Sequence, residues 1–158
     1  MTSTSTNGKK YKAYAYNEVS LMRQTHLASK VQIKINNDVK LNELICDGVL
    51  VSTSAGSTAY NLSAHGSILP LDSNILALTP INAFRPRRWR GALLSETTKI
   101  ELKVIDNIER SSSVTADNIE FRDVKSVKIT SSDKYKCDVL FDSNHSMEDK
   151  ILNEQFEF

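Results

Sequence analysis

Twenty Lys and Arg residues against nineteen Asp and Glu over 158 residues leave a formal net charge of +1, which argues against the basic face that nucleic-acid or anionic-membrane binding needs. A hydrophobic fraction of 40% with 25% charged residues is that of a globular chain, not a disordered one, and a chain of this length forms one domain without disulfide or metal staples. No apolar run approaches the ~18 residues of a membrane span, Met1 to Lys10 lack the apolar segment of a secretory signal, and Cys46 and Cys137 stand far apart without metal-ligand spacing, so a reducing cytoplasm is expected. Strand character begins around Tyr11, and a strand is expected from Asn17 to Arg23. Lys30 to Asn36 alternates, with Val31, Ile33 and Ile35 on one face. Asn36-Asn37-Asp38 tolerates left-handed turn conformations, and Val39-Lys40-Leu41 resumes the alternation, which predicts a hairpin. Val49-Leu50-Val51 reads as a buried strand, Ala59 to His65 as a short helix stopped by Gly66, and Ile75 to Thr79 as a strand. Lys99 to Val104 alternates and stops at Asp106-Asn107; Val124, Val127 and Ile129 mark another strand, and Asp138 to Phe141 one more. Ser146 is placed to cap a last helix with Met147, Ile151, Leu152 and Phe156 on one stripe. Short strands between polar turns predict an all-β fold, a two-layer β-sandwich with one or two short helices.

The segment from Asp47 to Ser63 carries the strongest chemical signal. A strand, the Ser54-Ala55-Gly56 break and a helix start that Ser57 or Thr58 can cap aim backbone N–H groups at one point, where a phosphate or a polar nucleotide edge can be held. The lysine and spacing of a P-loop are missing, and by pattern alone an ordinary strand–turn–helix corner is the commoner reading. Asn17-Glu18 suits the hydroxyls of a ribose, because the carboxylate accepts and the amide does both; taken alone, the pair is more often polar surface at a strand start. Arg85-Pro86-Arg87-Arg88-Trp89-Arg90 is a basic loop that clamps phosphates or stacks on bases in one reading, and is a solvated loop or subunit contact in the other. His26, His65 and His145 have no ligand spacing, and Cys46 beside Ile45 is expected to be a small buried hydrophobe.

These residues resemble the NAD kinases. Asn17-Glu18, then Cys46-Asp47-Gly48, then Thr53-Ser54-Ala55-Gly56-Ser57-Thr58-Ala59-Tyr60-Asn61-Leu62-Ser63-Ala64, then Leu78-Thr79-Pro80-Ile81 and Arg85-Pro86 follow the order of that family's motifs. The longer forms Glu18 to Thr25 and Phe84 to Gly91 look most like the bacterial branch. The resemblance covers the chain as a single C-terminal NAD-binding domain, residues 1–158. It implies transfer of the γ-phosphate of ATP, with a divalent metal (Mg), to the 2′-hydroxyl of the adenosine ribose of NAD, giving NADP. It also implies a cytoplasmic homo-oligomer; that neither nucleic acid nor membrane is expected as a partner follows from the charge balance and the lack of a long apolar run. The family's catalytic Asp lies in a Gly-Gly-Asp-Gly loop of an N-terminal half. This sequence has no Gly-Gly pair, so no catalytic residue is assigned and the chain alone is expected to have little or no kinase activity.

The NAD site implied by the resemblance comprises Asn17, Glu18, Asp47, Thr58, Ala59, Tyr60, Asn61, Leu62, Ser63 and Asn82, with no metal ligand. Thr58 and Ser63 are polar contacts in that site, and Tyr60 gives an aromatic surface for a base. Ser54 and Ala55 stand where the family often has Pro and Thr, and Asp117-Asn118-Ile119 stands in place of an Asp-Gly-Gln-like turn. A second reading is a non-catalytic NAD- or NADP-binding module that modulates a full-length kinase by hetero-oligomerisation.

Overall fold

The computed structural model describes residues 1–135 together with 137, 138, 140, 152, 153 and 156. Its strands are β1 (Thr2–Ser5), β2 (Lys10–Lys12), β3 (Glu18–Arg23), β4 (Ser29–Ile35), β5 (Asp38–Cys46), β6 (Gly48–Ser52), β7 (Ile75–Ile81), β8 (Ala92–Ser95), β9 (Ile100–Ile105), β10 (Ser112–Ala116), β11 (Ile119–Phe121) and β12 (Val124–Ile129). They form two antiparallel sheets of six strands, ordered β2-β1-β12-β9-β4-β5 and β11-β10-β3-β6-β7-β8. Inward-facing Val31 and Ile33 of β4, Leu102 of β9 and Val127 of β12 meet Leu21 of β3, Val49 of β6 and Leu78 of β7 in one core, as alternation along each strand requires. The sandwich expectation holds.

The β4–β5 hairpin turns on Asn36 and Asn37, at φ 51° and 73°, the two left-handed positions that a two-residue hairpin needs. Asp106, φ 55°, ends β9 where the alternation stops. Three expectations are corrected. Strand structure begins at Thr2, not near Tyr11: Ser3 and Ser5 are buried as β1 runs between β2 and β12, and small hydroxyl side chains give no apolar signal. The expected helix over Ala59 to His65 is a 3-10 turn, Ala55–Thr58, followed by one α-turn, α1 (Tyr60–Ser63). Its cap residue is Ala59, without a side-chain cap; the Ser57 hydroxyl instead donates to the Ser54 carbonyl at 2.7 Å and accepts the Leu69 N–H at 2.9 Å. The left-handed residue at its end is His65, φ 60°, while Gly66 is needed for space, because a Cβ there would collide with the Asn61 amide. The strand expected over 138–141 and the helix capped by Ser146 lie outside the described residues.

Beyond the two sheets there is a partial third layer. Every residue of β6 is buried, as for a strand covered on both faces. Val49 and Val51 face the core, whereas Leu50, with Ala77 and Thr79 of β7, faces outward and is nevertheless buried with Leu69, Ser57 and Asn61. The chain from residue 55 to residue 69 therefore covers the outer face of the β3–β6–β7 sheet.

Candidate functional site

The outer layer is pinned by Asn61. Its side chain is fully buried; Nδ2 donates to the carbonyls of Ser57, at 3.1 Å, and Ser67, at 2.9 Å, and Oδ1 accepts the Thr79 hydroxyl at 2.7 Å. Every polar atom of the amide is engaged inside the protein, so Asn61 braces the motif and offers a ligand no side-chain atom. Around it the motif faces outward: Ala59, Tyr60, Leu62 and Ser63 are exposed and Thr58 is half-buried. The Tyr60 hydroxyl lies 3.8 Å from the Met22 sulfur on β3.

The cradle of free N–H groups expected at the glycine break is largely spent. Gly56 N–H donates to Thr53 Oγ1 at 3.1 Å, Ser57 N–H to the Ser54 carbonyl at 3.2 Å and Ala59 N–H to the Gly56 carbonyl at 3.0 Å. What the break does instead is join the two candidate motifs. Thr53 N–H donates to the Asn17 carbonyl at 2.9 Å, and its hydroxyl reaches the Tyr16 carbonyl at 2.7 Å and that of Asn17 at 3.2 Å. Thr53, which heads the motif, was not singled out from the sequence; the fold makes it the link between the motif and the Asn17-Glu18 pair.

Strand β3 sets the spacing of what remains. Glu18 pairs with Ser52 and Met22 with Gly48 across β6, so the ends of this ladder are separated by about 13 Å at strand rise. At one end stands Asn17-Glu18. At the other, Asp47 accepts Arg23 Nε–H on Oδ1 at 2.6 Å and Asn82 Nδ2–H on Oδ2 at 2.9 Å. Sequence separation hid the link between Asp47 and Asn82, which neighbouring strands create; Arg23 lies within the Glu18 to Thr25 stretch but was not singled out, because only the fold brings it to Asp47. Glu18 and Asp47 do not meet, and Tyr60, against Met22, belongs to the Asp47 half of the ladder.

Glu18 also lines an open cleft of about 900 Å³ with Tyr14, Tyr16, Thr53, Asp72 and Asp117. Its Oε2 is buried without a hydrogen-bond partner among the described residues. Burial raises the Glu18 carboxyl above its ordinary value, and the Asp117 carboxylate beside it pushes the same way. Burial likewise pushes the Cys46 thiol up to about 12, and Cys46 is a core residue as expected. Cys137 is exposed, and both cysteines are free thiols. His26 and His65 are exposed; His145 lies outside the described residues. In the arginine loop, exposed between β7 and β8, Arg85 and Arg87 lie over the Phe84 ring, 5.5 and 5.1 Å from its centroid. Among the described residues no three His, Cys, Asp or Glu side chains converge as a metal site, and no helix is long and apolar enough to cross a membrane.

The chain is similar in sequence and fold to NAD kinases. Residues 16–141 match the model of the ATP-NAD kinase C-terminal domain. NAD kinases of Xylella fastidiosa and Caulobacter vibrioides are 52% and 50% identical over 158 and 146 residues, covering 100% and 92% of this chain. The chain spans 61% and 56% of those relatives' lengths. A crystal structure of an NAD kinase from Archaeoglobus fulgidus in complex with ATP is similar with TM-score 0.67 at 26% identity, over 75% of this chain and 46% of that one. Yeast NADH kinase complexed with NADH shares the fold, with TM-score 0.70 at 24% identity over 82% of this chain and 38% of that one. The motif order, the sandwich that carries it and the match over residues 16–141 have one explanation: this chain belongs to the ATP-NAD kinase C-terminal domain family.

Proposed function

We propose that residues 1–158 form a single NAD-binding domain of an NAD kinase, presenting NAD for phosphorylation at the 2′-hydroxyl of its adenosine ribose by ATP to give NADP. The observation that carries this reading is the layout along β3: Asn17-Glu18 at one end, the Asp47–Asn82 pair at the other and the exposed Tyr60 beside Met22. Glu18 and Asp47 accept hydrogen bonds from ligand hydroxyls, Thr58 and Ser63 add polar contacts, and Ala59, Tyr60 and Leu62 give apolar surface for a ring. Asn61 holds this set in place from behind.

Phosphoryl transfer depends on positioning and charge neutralisation. The domain positions the acceptor. The sequence contains no Gly-Gly pair, so the family's Gly-Gly-Asp-Gly base comes from outside these residues. The ion that accompanies ATP is not assigned to any residue, since the described side chains make up no metal site. A cytoplasmic setting and assembly with further copies or with a full-length kinase complete the reading.

Two assays on the purified chain test it. Calorimetric titration is expected to show NAD binding, and incubation with ATP, Mg and NAD to show little NADP. No NAD binding contradicts the assignment of the site; rapid NADP formation contradicts the division of labour.

A further inference from the structure

Asp117 sits at the β10–β11 turn, a hundred residues of sequence away from the Asn-Glu pair, yet its carboxylate takes three consecutive backbone N–H groups there. Oδ2 accepts from Tyr16 at 2.6 Å, and Oδ1 accepts from Asn17 at 3.0 Å and Glu18 at 3.1 Å. The Asp117 N–H returns a bond to the Glu18 carbonyl at 3.1 Å. Residues 16–18 are the approach to β3 and have no strand partner of their own until Glu18 meets Ser52. Without the Asp117 carboxylate three successive donors face solvent, and the approach to β3 keeps only its carbonyl bonds, to Thr53 and to the Asp117 N–H, and the Glu18–Ser52 pairing. An ionised acceptor forms shorter and stronger bonds than a neutral one. The backbone of Asp117 is left-handed, φ 50°, a conformation that Asp and Asn enter more readily than most residues.

We infer that Asp117 is a positioning residue for the NAD site, its carboxylate clamping the Tyr16-Asn17-Glu18 backbone so that the Asn17 and Glu18 side chains are ordered before ligand arrives. The inference rests on the proposed NAD site and adds to it a residue that does not touch the ligand. A preordered pair binds without the entropy loss of fixing it on contact.

The test uses Asp117→Gly, because glycine takes the left-handed turn freely and isolates loss of the carboxylate from backbone strain. Asp123→Gly is the control: it is also a left-handed turn residue, φ 54°, and its carboxylate accepts no hydrogen bond among the described residues. Amide hydrogen exchange and NAD calorimetry are measured on the full chain. Asp117→Gly is expected to exchange about tenfold faster at Tyr16, Asn17 and Glu18 and to bind NAD about tenfold more weakly. Asp117→Asn, which keeps one acceptor oxygen, falls between the two, and Asp123→Gly matches the unsubstituted chain in both. Unchanged exchange at residues 16–18 in Asp117→Gly overturns the inference, as does faster exchange with unaltered NAD affinity. If the unsubstituted chain binds no NAD, the proposed function fails and takes Asp117's part in it; the exchange difference then persists, which tells that failure from the other.

Discussion

Gly56 rests against the backbone of Asn17 so closely that a Cβ on the glycine would collide with the Asn17 carbonyl. That carbonyl also accepts the Thr53 N–H. The glycine of the motif is therefore required by contact: it lets the turn after β6 close on the approach to β3 and makes one site of two sequence motifs.

Gly56→Ala forces this contact apart. The expected cost is about 1–3 kcal/mol of stability, with NAD affinity reduced further than the stability loss alone explains. Denaturant unfolding and calorimetry at a temperature where the variant is folded separate the two effects. Retention of both wild-type values contradicts the contact.

Asn61→Ala removes the brace and strands the Thr79 hydroxyl and the Ser57 carbonyl in a buried layer. Leaving buried polar groups unsatisfied costs about 1–3 kcal/mol. Leu62→Ala, one residue on but exposed, is expected to change stability by less than about 0.5 kcal/mol while weakening NAD binding. Thermal unfolding compared with titration shows the two residues exchanging roles.

The Arg23–Asp47 ion pair is roughly one-third exposed on each side, so solvent screens it. Asp47→Asn is expected to cost no more than about 1 kcal/mol in stability yet to weaken NAD binding about tenfold, a difference of 1.4 kcal/mol in binding. Arg23→Ala keeps the carboxylate but frees one oxygen, and is expected to have the smaller binding effect.

Glu18 gives a pH signature. Its folded-state pKa is raised above the ordinary value of 4.5, so between the two values the folded chain binds more protons than the unfolded one. Stability from this group is therefore lost as pH rises through that window. Glu18→Gln removes the dependence: its stability exceeds that of the unsubstituted chain above the window and converges with it below pH 4.5, while NAD binding is weakened. Unfolding curves at stepped pH check the sign.

Much of this fold was legible because its signals are local. Alternation in Lys30 to Asn36 and left-handed tolerance at Asn36-Asn37 specify a hairpin within a few residues of sequence. Strand β1 was not legible, since Ser3 and Ser5 are buried without being apolar. Strand β10 was missed for a related reason: buried Ser112 pairs its hydroxyl with Ser29 of the other sheet at 2.7 Å, a contact across 83 positions. The site divides in the same way. Its candidate motif residues follow one order along the sequence, but Asn61's inward turn depends on Thr79 and Ser67, and the partners of Asp47 and Asn17, which are Arg23 and Asn82, Thr53 and Asp117, come from distant positions. Local hydroxyl bonds from Thr53 and Ser57 likewise shortened the expected helix to one turn, because such side chains compete with helical hydrogen bonding.

The most direct measurement is an NAD titration of the isotope-labelled chain followed by amide chemical shifts. Perturbations are expected at Asn17 and Glu18, at Asp47, over Thr58 to Ser63 and at Asn82, tracing the outer face of β3 from end to end. Shifts confined to the arginine loop from Phe84 to Arg90, or no shifts at saturating NAD, would contradict the proposed NAD site.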